Sequence, residues 1–360
     1  MAKLKIYTDR IIRNIEKMNT IMEKHNKQWS LVTKILGGNK KALRSILTSD
    51  VIFNTHSIGD SRVSNLKTIK NIDEHIVTMY LKPPAKSYIK EVIKYSDISL
   101  NTDYATIHAL NEEASRQNKI HDIIIMIEMG ELREGVVREK FLQFYEKVFE
   151  LPNIEVIGLG TNLGCMYGIE PTYDKLIQLS LYEQLIEMRF DKNIQLVSGG
   201  SSISLPLLSK GKIPKRVNHL RIGEAIFLGT TPLTNKKFSN LSTNAFEFLG
   251  NIIEFEKKET SPDGIVGNGN VGNAEIDNEN NSFNKEYKAL IDFGLVDVDN
   301  SYLIPKDKDI NFLGTTSDLT VYSLGKNKRK YKTGKTMAFK PNYMAVAQLM
   351  NSQYISKIII

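Results

Sequence analysis

Short apolar runs alternate with amphipathic segments from the N-terminus to about Thr231. The opening run LKIY predicts a strand, and the segment from Thr8 to Asn26 repeats apolar residues at helical spacing, with Thr8 as a candidate N-cap. Eight further apolar, β-branched runs predict strands: WSLVTKIL, VIFNT, IVTMYL, DISLN, DIIIMIEM, IEVIGLG, IQLVSGG and HLRIGEA. Intervening segments such as PAKSYIKEVIKY, YATIHALNEEASRQN and TYDKLIQLSLYEQLIEMRF predict helices.

This alternation predicts an α/β fold, a (β/α)₈ TIM barrel over residues 1–231. Residues 1–8 are candidates for joining the second domain. An open doubly wound sheet is the alternative architecture, and it is expected to place phosphate-binding glycines after its first strand. Here the glycine-rich turn follows the seventh strand, which favours the barrel.

The pattern of apolar and polar residues changes beyond Thr231. Strand-like runs such as FEFLGNIIEFEK, KALIDFGLVDV, LTVYSL and TMAFKP are separated by glycine, asparagine and proline, which predicts a β-rich C-terminal domain over residues 232–360. Within it, residues 258–285 are rich in glycine and asparagine and low in large apolar residues. We expect them to form a flexible loop.

Composition narrows the class of protein. At 360 residues with 41% hydrophobic residues, the chain can bury a sizeable core, and it has neither a long apolar run nor a signal-like start. A single cysteine, Cys165, excludes internal disulfides and a cysteine-rich metal site. The net charge of +7 is spread along the chain, and the basic cluster KNKRKYK is typical of a solvated turn. We therefore expect a cytoplasmic protein with neither nucleic acid nor membrane as a partner.

In a barrel of this kind the active site lies at the C-terminal ends of the strands. The residues placed there are unusually rich in chemistry: Lys34 after the first strand, Arg133 after the fifth, Thr161 and Asn162 after the sixth, the turn SGGSSIS after the seventh, and Arg221 on the eighth. The turn is suited to cradling a phosphate, since it combines flexible glycines, backbone N–H groups and serine hydroxyls. A lysine desolvated by Leu31, Val32 and Ile35 would have the lowered pKa that Schiff-base chemistry needs.

Nearly the whole chain resembles the alanine racemase family, and is most similar to its ornithine racemase branch. The resemblance rests on motifs that follow one order along the chain: IYTDRIIRNIEKMN with VTK, GDSRVSNL, GELREGV, GLGTNLGCMYGIEPT, SGGSSISL, VNHLRIGEAIFLG and KPNYMA. It implies a pyridoxal 5′-phosphate (PLP) enzyme that interconverts L- and D-amino acids of the ornithine, lysine or alanine type. It also implies a homodimer in which the second domain of one subunit completes the site of the other.

The resemblance also implies a role for individual residues. Lys34 matches the lysine that carries the cofactor and acts as one acid/base group at the substrate Cα, and Arg221 matches the arginine facing the pyridine nitrogen. The other matches are Arg133 on the phenolic oxygen side, Asn162 beneath the ring, Ser201 and Ser202 as phosphate-binding serines, Gly223 and Glu224 as backbone donors to the phosphate, and Tyr343 closing the site. A permanently protonated arginine cannot take a proton from the ring nitrogen, which makes the cofactor a weaker electron sink and favours reprotonation over transamination.

Three positions depart from the family pattern. Gly38 replaces a phosphate-contacting tyrosine, and Leu295 stands where alanine racemases carry their catalytic tyrosine. The resemblance to the ornithine branch implies a histidine at the position of Leu319. Since leucine transfers no proton, the second proton would come from Asp318, Tyr343 or a water. A PLP-dependent decarboxylase and a non-catalytic PLP-binding protein are the alternatives. The β-rich domain argues against the second, because such relatives lack one.

Overall fold

The computed structural model describes residues 1–265, 272–274 and 285–360. Its chain divides into two compact units, one made of Met1–Thr8 with Asn244–Ile360 and the other of Asp9–Thr243. The first strand, β1 (Lys3–Ile6), pairs with two strands of the C-terminal part and so belongs to the β-rich unit. The predicted flexible loop at 258–285 falls mainly on residues outside the described ones.

The larger unit is a closed barrel of parallel strands, which confirms the predicted fold class. Each strand pairs with the next, and the last pairs with the first to close the sheet. The barrel strands are Gln28–Val32 (β2), Ser57–Asp60 (β3), Thr78–Tyr80 (β4), Ile98–Asn101 (β5), His121–Met126 (β6), Ile154–Gly160 (β7), Leu196–Ser201 (β8) and His219–Ile222 (β9).

Helices follow the strands of the barrel. Several begin at a side-chain cap: Asn39 accepts from Ala42 N (3.0 Å), Asp103 from Thr106 N (2.8 Å) and Thr172 from Lys175 N (3.2 Å). The helices of the barrel region are Thr8–Lys24 (α1), Lys40–Leu47 (α2), Val63–Lys70 (α3), Ile89–Tyr95 (α4), Tyr104–Arg116 (α5), Phe141–Phe149 (α6), Tyr173–Phe190 (α7), Leu205–Ser209 (α8) and Glu224–Leu228 (α9).

One predicted strand is wrong. The run VIFNT forms a 3₁₀ turn over Asp50–Asn54, in which Ile52 is buried while Phe53 is 76% exposed. The second barrel strand is instead β3, the following run SIGD, whose four residues are all buried. A parallel strand needs both of its faces covered, and VIFNT offers one buried apolar residue where SIGD is buried throughout.

The barrel interior is apolar on one side and polar on the other. A buried cluster of Met79, Ile98, Leu100, Ile124, Met126, Ile157 and Leu196 comes from β4 to β8 and includes no helical residue, so it fills the barrel rather than the layer between strands and helices. On the other side, β9 directs His219 and Arg221 inward, where they meet Ser30 of β2 and Ser198 of β8.

The smaller unit is a largely antiparallel β structure. Its strands after β1 are Phe246–Glu259 (β10), Asn273–Ala274 (β11), Lys285–Ile291 (β12), Leu303–Pro305 (β13), Asn311–Thr315 (β14), Thr320–Ser323 (β15), Thr336–Pro341 (β16) and Ser356–Ile359 (β17). Their order is β11-β14-β15-β12-β10-β1-β17, and β16 joins β10 to β13. The rings of Phe248, Phe293 and Phe339 pack together in its core.

One helix of this unit, α10 (Tyr343–Asn351), was not predicted, although Asn342 caps it by accepting from Ala345 N (3.0 Å). The boundary between the units follows Thr243 rather than residue 231, because residues just beyond 231 bond back to the barrel unit. Phe238 N donates to Gly229 O (2.8 Å) and Ser242 N to Asn14 Oδ1 (2.7 Å). In the described residues, no helix is long and apolar enough to cross a membrane.

Candidate active site

Lys34 lies directly beyond the C-terminal end of β2, as the first residue of a 3₁₀ turn that Gly37 closes in the left-handed conformation (φ 56°). Thr33 anchors the turn, since its N–H donates to Gly59 O (2.9 Å) and its hydroxyl to Asp60 Oδ2 (3.1 Å). Leu31, Val32 and Ile35 are buried, but the Lys34 side chain is exposed. The expected desolvation of the lysine by these neighbours is therefore wrong in the isolated chain, because Lys34 itself is exposed to solvent.

Asp60 is a buried residue of this region that sequence reasoning missed. It ends β3 and accepts hydrogen bonds from Thr33, from Asn65 Nδ2 (3.0 Å) and from Arg62 N (3.0 Å). Burial raises the pKa of Asp60, and these donors oppose that rise. The carboxyl group thus joins the loops after β2 and β3 and fixes the base of the Lys34 turn. Asp60 and its partners Arg62 and Asn65 all lie within the motif GDSRVSNL, so the sequence does place them close together.

Arg221 is held inside the barrel by three hydrogen bonds. Its Nη1 donates to Ser198 Oγ, and its Nη2 to Thr161 O (2.8 Å) and Asn162 Oδ1 (2.7 Å). Burial lowers the pKa of Arg221 to about 10, while nearby Glu134 raises it and Arg133 lowers it. The guanidinium therefore stays charged at neutral pH and acts only as a donor.

Arg133 and Asn162 meet at Glu134, and Asn162 connects this group to Arg221. Arg133 donates to both carboxylate oxygens of Glu134, by Nε and by Nη2, and Asn162 Nδ2 donates to Glu134 Oε1. Arg133 Nη1 also lies 2.7 Å from the sulfur of Cys165. The structure thus unites the three predicted residues Arg133, Asn162 and Arg221 in one network. Its acidic centre, Glu134, was not predicted.

A second missed carboxylate, Glu131, organises the loop after β7. Only 3% exposed, it accepts from Cys165 N (3.0 Å), Tyr167 N (3.0 Å) and Ile169 N (2.8 Å). Burial tends to raise the pKa of Glu131, but these donors outweigh it and hold that pKa below its usual value. The residues bonded to Glu131 are distant in sequence, so no local spacing identifies it.

The turns after β8 and β9 meet at Ser202. Its buried hydroxyl oxygen accepts from Gly223 N (3.3 Å) and Ala225 N (3.2 Å), which places the predicted Ser201, Ser202, Gly223 and Glu224 side by side. The side chain of Glu224 is half-buried. Burial raises its pKa to about 7, against the lowering effect of the Lys34 charge.

This end of the barrel fits PLP on two observations. The Arg221 clamp is the guanidinium of Arg221 held by Ser198, Thr161 O and Asn162. The Thr161 hydroxyl is buried beside this clamp and has no hydrogen-bond partner among the described residues, as expected of a group that meets a ligand. At Gly200 the φ of +115° and the approach of Ser204 Oγ, 2.6 Å from any added Cβ, require glycine, so no side chain can occupy this point of the turn in which a phosphate would lie.

The remaining predicted residues lie in the β-rich unit. Tyr343 is the first residue of α10 and is half-buried, while Asp318 is exposed and accepts from Ser317 Oγ (2.7 Å). The turn at Leu295 lies against the turn at Asp318, since Leu295 N donates to Thr316 O (2.9 Å) and Val296 N to Ser317 O (3.0 Å). The departures Leu295 and Leu319 are therefore on two adjoining turns.

Comparison with known proteins identifies the family of this chain. Residues 6–231 match the family model for the alanine racemase N-terminal domain. The chain is 30% identical over 356 residues to ornithine racemase of Acetoanaerobium sticklandii, covering 99% of this chain and 98% of that protein. It is 31% identical over 330 residues to lysine racemase of Thermotoga maritima, covering 91% and 89%.

Among solved structures, an alanine racemase of Bartonella henselae with covalently bound pyridoxal phosphate superposes with a TM-score of 0.72 at 13% identity, covering 100% of this chain and 99% of that one. At that identity the likeness concerns the fold. The chain belongs to the alanine racemase family of PLP-dependent amino-acid racemases.

Proposed function

We propose that this racemase acts on an amino acid with a cationic side chain, with Lys34 as the residue that carries PLP. The observation that supports it best is the convergence of Lys34, the Arg221 clamp and the Ser202 turn at one end of the barrel. The full-length match to racemases favours this function over the decarboxylase and the non-catalytic alternatives.

The protein's own residues have distinct parts in this proposal. When PLP is bound, Arg221 would donate to the pyridine nitrogen without protonating it, and Arg133 and Asn162 would lie beside the ring. Ser201, Ser202 and the backbone N–H groups of Gly223 and Glu224 would hold the phosphate. When bound, PLP draws electrons from the substrate Cα and makes its hydrogen acidic. Lys34 Nζ takes and returns that proton on one face of Cα, while Tyr343, or failing it Asp318, supplies the proton on the other face.

The substrate class follows from relatives and charge. Two of the similar proteins act, by their names, on ornithine and lysine, both of which carry a side-chain ammonium group. Such a group needs an acidic partner. Glu224 has a half-buried carboxylate at this end of the barrel, whereas Glu134 is already bonded to Arg133 and Asn162. We rank ornithine and lysine ahead of alanine for this reason.

Two further parts of the proposal concern the molecule as a whole. We infer a homodimer, supported by the family resemblance, and a cytoplasmic location, supported by the single cysteine. Sedimentation of the PLP-loaded protein tests the first. A mass equal to one chain would contradict it.

Chiral chromatography tests the activity. The PLP-loaded protein is incubated separately with L-ornithine, L-lysine and L-alanine, and we expect D-ornithine or D-lysine to accumulate fastest. Borohydride should fix the cofactor on Lys34, and Lys34→Ala should lose both the label and the activity. A label on another lysine would overturn the site, and a D-product from L-alanine alone would overturn the substrate class.

A further inference from the structure

A chain of buried polar side chains continues below Arg221 into the barrel. Ser198 Oγ, which accepts from Arg221, lies 2.8 Å from His219 Nδ1, and His219 Nε2 lies 2.9 Å from Ser30 Oγ. Ser30 Oγ in turn lies 2.7 Å from Ser57 Oγ. All of these side chains are at most 4% exposed. No step of the proposed reaction uses His219, Ser30 or Ser57, so their burial calls for another explanation.

Arg221 determines which atoms donate and which accept along this chain of hydrogen bonds. A guanidinium only donates, so Ser198 Oγ must accept from it. In the described part of the protein, Ser198 Oγ has one other partner, His219 Nδ1. If His219 carried its proton on Nδ1, the Ser198 hydroxyl would have no acceptor, at a cost of about 1–3 kcal/mol for a buried donor. His219 is therefore neutral, accepts at Nδ1 and donates from Nε2 to Ser30.

The electrostatic surroundings of His219 agree with a neutral ring. Burial first, then the neighbouring His56 and the charge of Arg221, hold the pKa of His219 well below its usual value. The His56 ring is 5.3 Å away in an edge-on arrangement, and Arg221 lies across Ser198. A protonated His219 would face a second positive charge and reverse the hydrogen bond to Ser198.

The same bonds restrict which donors of Arg221 are available to a ligand. Of the five N–H groups of a guanidinium, the described residues engage three: one on Nη1 and both on Nη2. The Nε–H and the second Nη1–H remain. A group fixed on three sides has lost its rotational freedom before a ligand binds, which lowers the entropic cost of binding.

We propose that His219 is a positioning residue which, acting through Ser198, fixes the Arg221 guanidinium so that one of its two remaining N–H groups can donate to the pyridine nitrogen of PLP. The identity of the ligand rests on the proposed function. The donor and acceptor roles along the hydrogen-bond chain do not rest on it, because they follow from contacts within the barrel. A histidine below Arg221 thus contributes to catalysis without touching substrate or cofactor.

Nuclear magnetic resonance of the protein with ¹⁵N-labelled histidine tests the direction of the chain without PLP. We expect His219 to show a protonated Nε2 and an unprotonated Nδ1 across about pH 5–8, the range in which an ordinary histidine titrates. In Arg221→Leu, and in the milder Ser198→Ala, Nδ1 loses the oriented donor, so the His219 signals should shift towards a mixture of tautomers.

His121 provides an internal control. It is also buried and bonds to a serine (Nε2 to Ser99 Oγ, 2.8 Å), but its serine contacts Asn101 rather than an arginine. Its signals should stay unchanged in both variants. A protonated Nδ1 on wild-type His219, or a His219 signal in Ser198→Ala as constant as that of His121, would overturn the proposal.

Kinetics of the PLP-loaded protein test the positioning itself. Ser198→Ala should lower kcat about 10-fold or more with little change in KM, Ser198→Thr should restore it because it keeps the hydroxyl, and Ser99→Ala should have no such effect. An unchanged kcat in Ser198→Ala would refute the positioning role. Failure of the wild-type protein to racemise any amino acid would instead contradict the proposed function, and the tautomer result would still decide the direction of the chain.

Discussion

The two sides of the barrel interior are built on different principles. On one side, seven methionine, isoleucine and leucine side chains from β4 to β8 pack into a cluster that is at most 6% exposed at every position. On the other, serine, histidine and arginine side chains from β2, β3, β8 and β9 are equally buried but bond to one another. The apolar side gains stability from area removed from water. The polar side offsets the cost of burial with hydrogen bonds.

This difference indicates where chemistry is located. Strands of the polar side end at Lys34, the Ser202 turn and Arg221, whereas strands of the apolar side end at the loops that bring Arg133 and Asn162 against that network. A buried polar network fixes donors in place only when its members are satisfied. Substitutions on the apolar side should therefore change stability and leave the site intact, whereas substitutions on the polar side should change the site as well as stability.

The largest expected effect is on stability, from Ile124→Asn on the apolar side. Ile124 is fully buried within the cluster, so the change removes apolar contacts and leaves an amide without partners. We expect the free energy of unfolding to fall by about 3–5 kcal/mol, measured in urea, whereas Ile124→Val should cost about 0.5–1.5 kcal/mol. The folded fraction should keep the wild-type spectrum of the bound cofactor. A changed spectrum would show that the two sides are not separate.

On the polar side, Arg221→Glu should mainly affect the reaction. A carboxylate can accept a charge-assisted hydrogen bond from a protonated ring nitrogen, which arginine cannot. We expect a long-wavelength absorption band, more transamination and a loss of racemisation of roughly 10²–10³-fold. Arg221→Lys keeps a positive charge and should show no such band. An unchanged spectrum in Arg221→Glu with cofactor bound would mean that Arg221 does not face the ring.

The sequence alone was sufficient for the barrel because its parallel strands are continuous apolar runs, as in DIIIMIEM and IEVIGLG. It failed at the second strand, since SIGD is short and contains glycine and aspartate, whereas the neighbouring VIFNT has the composition of a strand. Residues at strand ends, such as Lys34 and Arg221, could be found from their place in the alternation.

Residues that act through distant partners could not be found this way. Glu131 accepts from N–H groups more than thirty positions away, and His219 matters because two neighbouring strands bring Ser30 and Ser198 to its ring nitrogens. Asp60 holds two loops together, although only one of them carries the lysine. These roles depend on the register of the strands, which local patterns do not specify.

The apolar side cannot supply the second proton, because its cluster contains no group that gives or takes one. We therefore expect Tyr343→Phe to lower racemisation about 10²-fold, while hydrogen exchange at Cα with retained configuration in deuterated water continues, since Lys34 serves that face alone. Tyr354→Phe, at an exposed tyrosine of the β-rich unit, is the control. If racemisation were as fast as exchange and unchanged in Tyr343→Phe, Asp318 would be the candidate for the second proton, and Asp318→Asn would test it.

The smallest expected effect concerns Glu224, the first residue of α9 beyond β9, whose pKa burial raises to about 7 against a lowering by the Lys34 charge. Because this pKa lies above that of an unfolded glutamate, the group favours the folded state below about pH 4.5, and this contribution is lost as the pH rises through 7. From pH 5 to 8 the wild-type protein should therefore lose about 1–2 kcal/mol of stability relative to Glu224→Gln, allowing for its partial exposure. Urea unfolding of both proteins across this range measures the difference, and Glu139→Gln, at an exposed glutamate, should show none. A constant difference between wild type and Glu224→Gln would mean that Glu224 ionises as an ordinary surface carboxylate.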